Sequence, residues 1–64
     1  MTVIDVVNEA RERRGIPMAE LARRTGIKYE GLRVSLDGRR TLTAAELVSL
    51  CKELELDMSD FEEV

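Results

Sequence analysis

Apolar residues recur along this chain at intervals of three and four positions, the spacing of one face of an α-helix. Glycine, proline or charged runs interrupt the pattern, and the strict alternation typical of a half-buried strand is weak everywhere. We therefore predict an all-α fold, a compact bundle of about five short helices that forms a single domain over residues 1–64. The successive apolar faces are Val3, Ile4, Val7 and Ala10; Met18, Leu21 and Ala22; Tyr29, Leu32 and Leu36; Leu47, Leu50, Cys51 and Leu54; and a short terminal piece with Phe61.

Three pairs of residues predict where helices begin. In each, a Thr or Asp that can cap a helix is followed three positions later by an acidic residue. At the fourth helix the pair has the pattern of a capping box, in which each side chain can bond to the other's backbone amide. At the first helix the acidic residue lies near the positive end of the helix dipole, and the last pair repeats cap-like chemistry. Pro17 is predicted to be the first residue of the second helix, because proline loses no hydrogen bond there. The pairs are Thr2 with Asp5, Thr43 with Glu46, and Asp57 with Asp60.

Residues 17–38 carry two short helical patterns separated by a tight corner. Thr25-Gly26 ends the first, because glycine accepts a left-handed backbone at little steric cost, and Ile27 adds an apolar side chain at the corner. Two short helices joined so closely must cross steeply, which leaves the outer face of the second helix free. This is the geometry of a helix-turn-helix, whose second helix enters the DNA major groove.

The stretch resembles the Cro/repressor type of helix-turn-helix found in phage repressors and small bacterial regulators. With the flanking helices the resemblance covers nearly the whole chain and implies a lambda-repressor-like domain. Three positions depart from the family. Pro17 stands where the family usually has a Ser or Thr cap. Met18 replaces a Gln that commonly reaches a phosphate. Ser35 stands where the family usually has an aliphatic core residue, and this chain has its aliphatic residue one place later, at Leu36. This shift leaves open which residues of the second helix face the bases. The matching residues are Leu21, Ala22, Gly26, Ile27, Leu32 and Gly38-Arg39-Arg40.

By this resemblance, bases are read from the start and outer face of the motif's second helix, whose expected contacts are Lys28, Tyr29, Glu30, Arg33 and Val34. Lysine or arginine can donate to guanine O6 and N7, glutamate can accept from cytosine N4, and valine can pack on a thymine methyl group. Phosphate contacts are expected from neighbouring basic side chains and from the start of the fourth helix. These residues are Arg24, Arg39, Arg40, Thr41 and Thr43.

Some of these residues also have a purely structural interpretation. The spacing of Tyr29 with Leu32 favours packing of its ring in the core, with only the hydroxyl at the rim. Glu30 and Arg33 are i, i+3 neighbours and can simply pair with each other. Gly31 in mid-helix is attributed to close packing of two backbones.

Charge is divided unevenly along the chain, although the net charge is only −3. Residues 1–40 carry nine Lys or Arg and six Asp or Glu, a net charge of +3; residues 41–64 carry one Lys and seven Asp or Glu, a net charge of −6. Binding of DNA depends on the local field at the docking face. The basic half is therefore the expected DNA-binding half, with an affinity that salt reduces.

Composition argues against an enzyme, a metal site and any cofactor. The chain has no histidine and one cysteine, Cys51, which we interpret as a buried hydrophobic side chain rather than a reactive thiol. No disulfide can form within the chain, so a reduced cytoplasmic location is expected. No apolar run is long enough to cross a bilayer, and no small-molecule ligand is evident.

We therefore predict a sequence-specific DNA-binding transcriptional regulator, a phage or prophage-type repressor that binds operator DNA in the major groove as a homodimer. The dimer interface is expected at Met58, Phe61 and Val64, whose apolar area a small core does not absorb. The alternative is a helix-turn-helix-derived protein-interaction module, antitoxin-like or an antirepressor, with little DNA binding. A fragment of a longer repressor remains a third possibility.

Overall fold

A computed structural model describes residues 1–62 as four α-helices followed by a single turn of 3₁₀ helix. No strand occurs in that range. The predicted all-α bundle is confirmed, with the correction that its fifth helix is only a 3₁₀ turn. Val64 lies outside the described residues. The elements are α1, Val3–Arg13; α2, Met18–Thr25; α3, Tyr29–Leu36; α4, Ala44–Leu54; and η1, Met58–Phe61.

Every α-helix contributes to one core. α2 packs on α3 and α4, while α1 packs on α3, α4 and η1. Residues from the predicted apolar faces of the four α-helices meet at the centre, and the fully buried leucines come from α2, α3 and α4. Together they leave a body of 28 × 23 × 19 Å. The largest fully buried side chains are Leu21, Leu32, Leu50, Leu54, Val7 and Ser35.

The predicted caps of the helices form as expected. At α4 the Glu46 amide donates to Thr43 Oγ1 over 3.1 Å, and the Thr43 amide donates back to Glu46 Oε1 over 2.9 Å. The same reciprocal pair joins Thr2 with Asp5 and Asp57 with Asp60. The position predicted for Pro17 is wrong by one residue. Its backbone is extended, with ψ at 150°, so it is the N-cap of α2.

Three other burial predictions need correction. Val6 is buried, whereas the predicted Val3 and Ile4 are only half-buried, because the buried face of α1 is formed by Val6, Val7 and Ala10. Cys51 is half-buried rather than enclosed, although burial still raises the pKa of its thiol. Within residues 1–62, no helix has the length and apolar character needed to span a membrane.

Candidate nucleic-acid interface

The corner between α2 and α3 is built from three consecutive residues, 26–28. Gly26 has φ +77°, and its amide donates to the Ala22 carbonyl over 2.9 Å, closing α2 in the left-handed conformation that favours glycine. The hydroxyl of Thr25 donates to the Leu21 carbonyl over 2.8 Å. Ile27 packs against the core. This short corner joins two helices that pack against each other, as in a helix-turn-helix.

The buried face of α3 is formed by Leu32, Ser35 and Leu36. Ser35 has no exposed surface at all, so it occupies a core position despite its hydroxyl. The prediction that the Tyr29 ring packs in the core is wrong, because its side chain is 46% exposed at the start of the helix. Val34 is half-buried rather than exposed. These burials define which face of α3 points outward.

Two side chains from outside α3 hold its C-terminal end. Asn8 of α1 donates from Nδ2 to the Leu36 carbonyl over 3.0 Å. Arg40, in the following loop, donates from Nη1 to Ser35 Oγ over 2.8 Å. The sequence analysis missed both bonds. The available signals were a polar Asn8 inside the apolar stripe of α1 and the serine at a core position.

Arg40 continues this network to the start of α4. Its Nη1 and Nη2 donate to the two carboxylate oxygens of Glu46, each over 3.0 Å, a bidentate arrangement of the kind arginine favours. The hydrogen bond from Arg40 is the main reason that the pKa of Glu46 is lowered, and it raises the pKa of Arg40. Arg40 was expected to contact a phosphate, but its guanidinium is bound to Ser35 and Glu46 of the protein itself.

The outward face of α3 carries a row of alternating charges. Arg33 donates from Nη2 to Glu30 Oε2 over 3.0 Å, and its Nη1 lies 3.8 Å from Asp37 Oδ2. The hydrogen bond to Arg33 lowers the pKa of Glu30. The structural interpretation of this pair is therefore correct. This pairing does not exclude base contacts by Glu30 and Arg33, because an exposed ion pair contributes only about 1 kcal/mol or less to stability and can be replaced by another partner.

Two exposed cations stand at opposite ends of α3. Lys28 is its N-cap, and Arg39 lies two residues beyond its C-cap. Neither forms a salt bridge or a side-chain hydrogen bond within residues 1–62. An eight-residue helix is about 12 Å long, close to the width of the major groove.

The remaining residues expected to contact phosphate differ in their surroundings. Thr41 and Thr43 are exposed. Arg24 pairs with Glu20 over 2.9 Å.

Gly31 lies on α3 with open space beside it. A Cβ added there would meet no atom within 4 Å. The attribution of this glycine to close packing of backbones is therefore wrong. No fold contact requires a glycine here, and Gly31 lines a shallow cavity together with Lys28 and Glu30.

Comparison with known proteins agrees with this geometry. Residues 7–64 match the family model of the Cro/C1-type HTH DNA-binding domain, and the chain belongs to this family. No curated protein and no solved structure matches it. The family membership makes the chain a DNA-binding domain of the kind found in regulators, with α2 and α3 as its helix-turn-helix.

Proposed function

We propose that this protein is a sequence-specific transcriptional repressor that places α3 in the major groove of its operator. The observation that carries the proposal is the position of two cations, Lys28 and Arg39, at the two ends of a helix of groove width, where neither forms a salt bridge within residues 1–62. Phosphate contacts at both ends would hold the helix in the groove and fix its register, because such contacts position a protein on DNA. Occupation of an operator then blocks transcription by exclusion.

Base reading is assigned to Tyr29, Glu30, Arg33 and Val34, on the outer side of α3. Lys28, which the sequence analysis expected to contact a base, is reassigned here to a phosphate. Arg33 lies within reach of the Glu30 and Asp37 carboxylates. To contact a guanine, its guanidinium must therefore leave a carboxylate and donate to O6 and N7 of the base instead. The Glu30 carboxylate released in that exchange can accept from cytosine N4. The arrangement thus favours G·C and C·G pairs, where both charged groups find partners, over pairs that would leave Glu30 against a base acceptor.

We further propose that the repressor acts in the cytoplasm as a homodimer on a two-fold operator, of the type used by phages and prophages. One domain of 28 × 23 × 19 Å contacts only a single half-site. Two copies double the contacted bases, which is how small domains of this class reach useful specificity.

One observation favours the second candidate function, a protein-interaction module. Arg24, Arg33 and Arg40, three of the basic residues expected at the DNA, are all paired with carboxylates of the same chain. In that case the acidic residues would have neutralised the DNA-binding face, and the surface would bind a protein partner instead.

Selection from random-sequence duplex DNA, run at two salt concentrations with wild-type, Arg33→Ala and Arg39→Ala proteins, separates the two functions. A DNA reader enriches a motif. Arg33→Ala should then cost about 1–3 kcal/mol at one base position, while Arg39→Ala should weaken binding about equally for all sequences. No enriched sequence at low salt, with every protein folded by circular dichroism, would exclude DNA reading and favour the interaction module.

A further inference from the structure

Gly31 is the third residue of α3, and nothing in the fold calls for a glycine there. A Cβ built on it meets no atom within 4 Å, and its φ lies outside the left-handed region that favours glycine. A glycine inside a helix lowers stability relative to alanine, because the unfolded chain has more freedom at that position. A local loss of stability without a compensating contact is expected at functional positions. The reason for this glycine therefore lies outside the free protein.

The space beside Gly31 forms a recess that opens to solvent. It belongs to a cavity of about 540 Å³ between α3, the corner before it and the start of α4. Lys28 and Glu30, both exposed, line the cavity from the α3 side. The residues that line it from α4 are Ala45, Glu46 and Ser49. We call the open space beside Gly31 the Gly31 recess.

The Gly31 recess lies on the same side of α3 as two residues that the proposed function places on DNA. Lys28, Gly31 and Val34 are each three positions apart, so they form one row along the helix. Lys28 is assigned to a phosphate and Val34 to a base. Neighbours in this row are about 4.5 Å apart along the helix axis, close to the base-pair rise of about 3.4 Å. A helix docked by these two residues brings Gly31 next to a base edge.

A glycine can recognise one kind of group on a base edge. It has no side-chain donor or acceptor, so it cannot pair with the nitrogen and oxygen atoms that the bases present in the major groove. The remaining feature of that edge is the C5 methyl group of a pyrimidine, which requires space and an apolar contact rather than a hydrogen bond. Glycine provides both, because it allows a ligand to approach the backbone closely.

We propose that Gly31 is a specificity-determining residue whose recess receives the C5 methyl group of one pyrimidine, either thymine or 5-methylcytosine. The inference rests on the proposed function, since α3 must lie in the major groove. It adds a discrimination that the charged side chains do not supply. Arg33 and Glu30 distinguish polar groups, whereas the Gly31 recess distinguishes a base that carries a methyl group from one that lacks it.

Single-atom-group changes in the DNA test the contact directly. In the duplex obtained by selection, each thymine is replaced in turn by deoxyuridine, which removes only the methyl group, and each cytosine by 5-methylcytosine, which adds only that group. We expect one position at which the methyl group strengthens wild-type binding about fourfold, the effect of burying one such group. A loss at a thymine identifies thymine as the source, and a gain at a cytosine identifies 5-methylcytosine. If no position responds to the methyl group, the inference is overturned.

Gly31→Ala assigns the response to the recess. The added Cβ fills the space, so this variant should bind the methylated duplex several-fold more weakly than wild type and the unmethylated duplex equally well. Gly31→Ser, of similar size, should show the same pattern. Urea unfolding should show that neither loss of binding arises from an unfolded protein. If Gly31→Ala weakens binding to both duplexes equally, the DNA backbone rather than a methyl group approaches α3, and the inference is wrong.

Two further variants serve as controls. Arg39→Ala should weaken binding to both duplexes equally, because a phosphate contact does not depend on the base. Val34→Ala should keep the methyl response; if it abolishes this response while Gly31→Ala retains it, Val34 is the reader and the inference fails. A wild-type protein that selects a motif without any methyl response contradicts this inference alone. A wild-type protein that selects no sequence contradicts the proposed function as well.

Discussion

At the scale of single residues, Ser35 and Arg40 decide how the recognition helix is held. A hydroxyl with no exposed surface costs stability unless it is hydrogen-bonded, and the Arg40 guanidinium supplies that bond over 2.8 Å. The same guanidinium bridges to Glu46, which also caps α4. Arg40 thus links the end of α3 to the start of α4, and we infer that it positions the recognition helix rather than binding a phosphate.

Comparison of Arg40→Ala with Arg39→Ala tests this role. Removal of Arg40 should lower the midpoint of urea unfolding, because Ser35 loses its hydrogen-bond partner. It should also reduce sequence specificity, but it should not change the slope of the logarithm of the DNA-binding constant against the logarithm of salt concentration. Arg39→Ala should leave the midpoint unchanged and reduce that slope by about 1, since it removes one phosphate contact. A reduced slope for Arg40→Ala, equal to that for Arg39→Ala, would show instead that Arg40 binds phosphate.

At the scale of elements, two glycines of the helix-turn-helix have opposite physical roles. Gly26 ends α2 with φ +77°, a conformation that side chains other than glycine rarely adopt. Gly31 has an ordinary helical backbone and free space around it, so it only adds conformational entropy to the unfolded chain. The first glycine makes the corner, and the second weakens α3.

Alanine at each glycine should therefore shift stability in opposite directions. Gly31→Ala should raise the free energy of unfolding by about 1 kcal/mol, and Gly26→Ala should lower it by about 1–2 kcal/mol. Urea denaturation of the two variants against wild type measures both shifts. Stabilisation by Gly31→Ala accompanied by weaker operator binding would indicate that DNA approaches α3 at this glycine. A destabilising Gly31→Ala would contradict the open surroundings described for it.

At the scale of the whole molecule, ionised carboxylates accept hydrogen bonds within α2, at the helix caps and between Arg40 and α4. Hydrogen bonds from Arg23 and Arg24 lower the pKa of Glu20 to about 2. Hydrogen bonds from the Thr2 amide lower the pKa of Asp5, and those from the Ser59 hydroxyl and amide lower the pKa of Asp57. Arg40 together with the Thr43 amide lowers the pKa of Glu46. A group whose pKa is depressed by folding stabilises the fold above its unfolded pKa, and this contribution disappears as the pH falls through the folded pKa.

Stability should accordingly be constant near neutral pH and fall between about pH 4.5 and pH 2, the window set by Glu20. The check is the urea midpoint measured from pH 7 down to pH 2.5. Glu20→Gln should show a smaller loss over the same range, because its carboxylate no longer titrates. A midpoint that stays constant to pH 2.5 would show that these carboxylates do not stabilise the fold.

Much of this architecture could be predicted from local signals. The reciprocal caps at Thr2 and Thr43 need only residues three positions apart, and the corner at Gly26 needs only a glycine after a helical run. Leu21 of α2 and Leu50 and Leu54 of α4 stand at helical spacing on the predicted apolar faces, and these three leucines are buried as predicted. The helix-turn-helix was recognisable for the same reason, since its defining positions lie within one stretch, residues 17–38.

The sequence by itself determined the helices, their caps, the tight corner and most of the core, because each depends on neighbours within one or two turns. The tertiary structure alone decided which face of α3 is buried. Both Tyr29, Leu32, Leu36 and Leu32, Ser35, Leu36 satisfy helical spacing, and the packing of α3 on α1 and α2 buries the second set. It also decided that Arg40 bonds to Ser35 and Glu46 and that α1, α4 and η1 leave an open groove, since those outcomes depend on elements that meet only after folding.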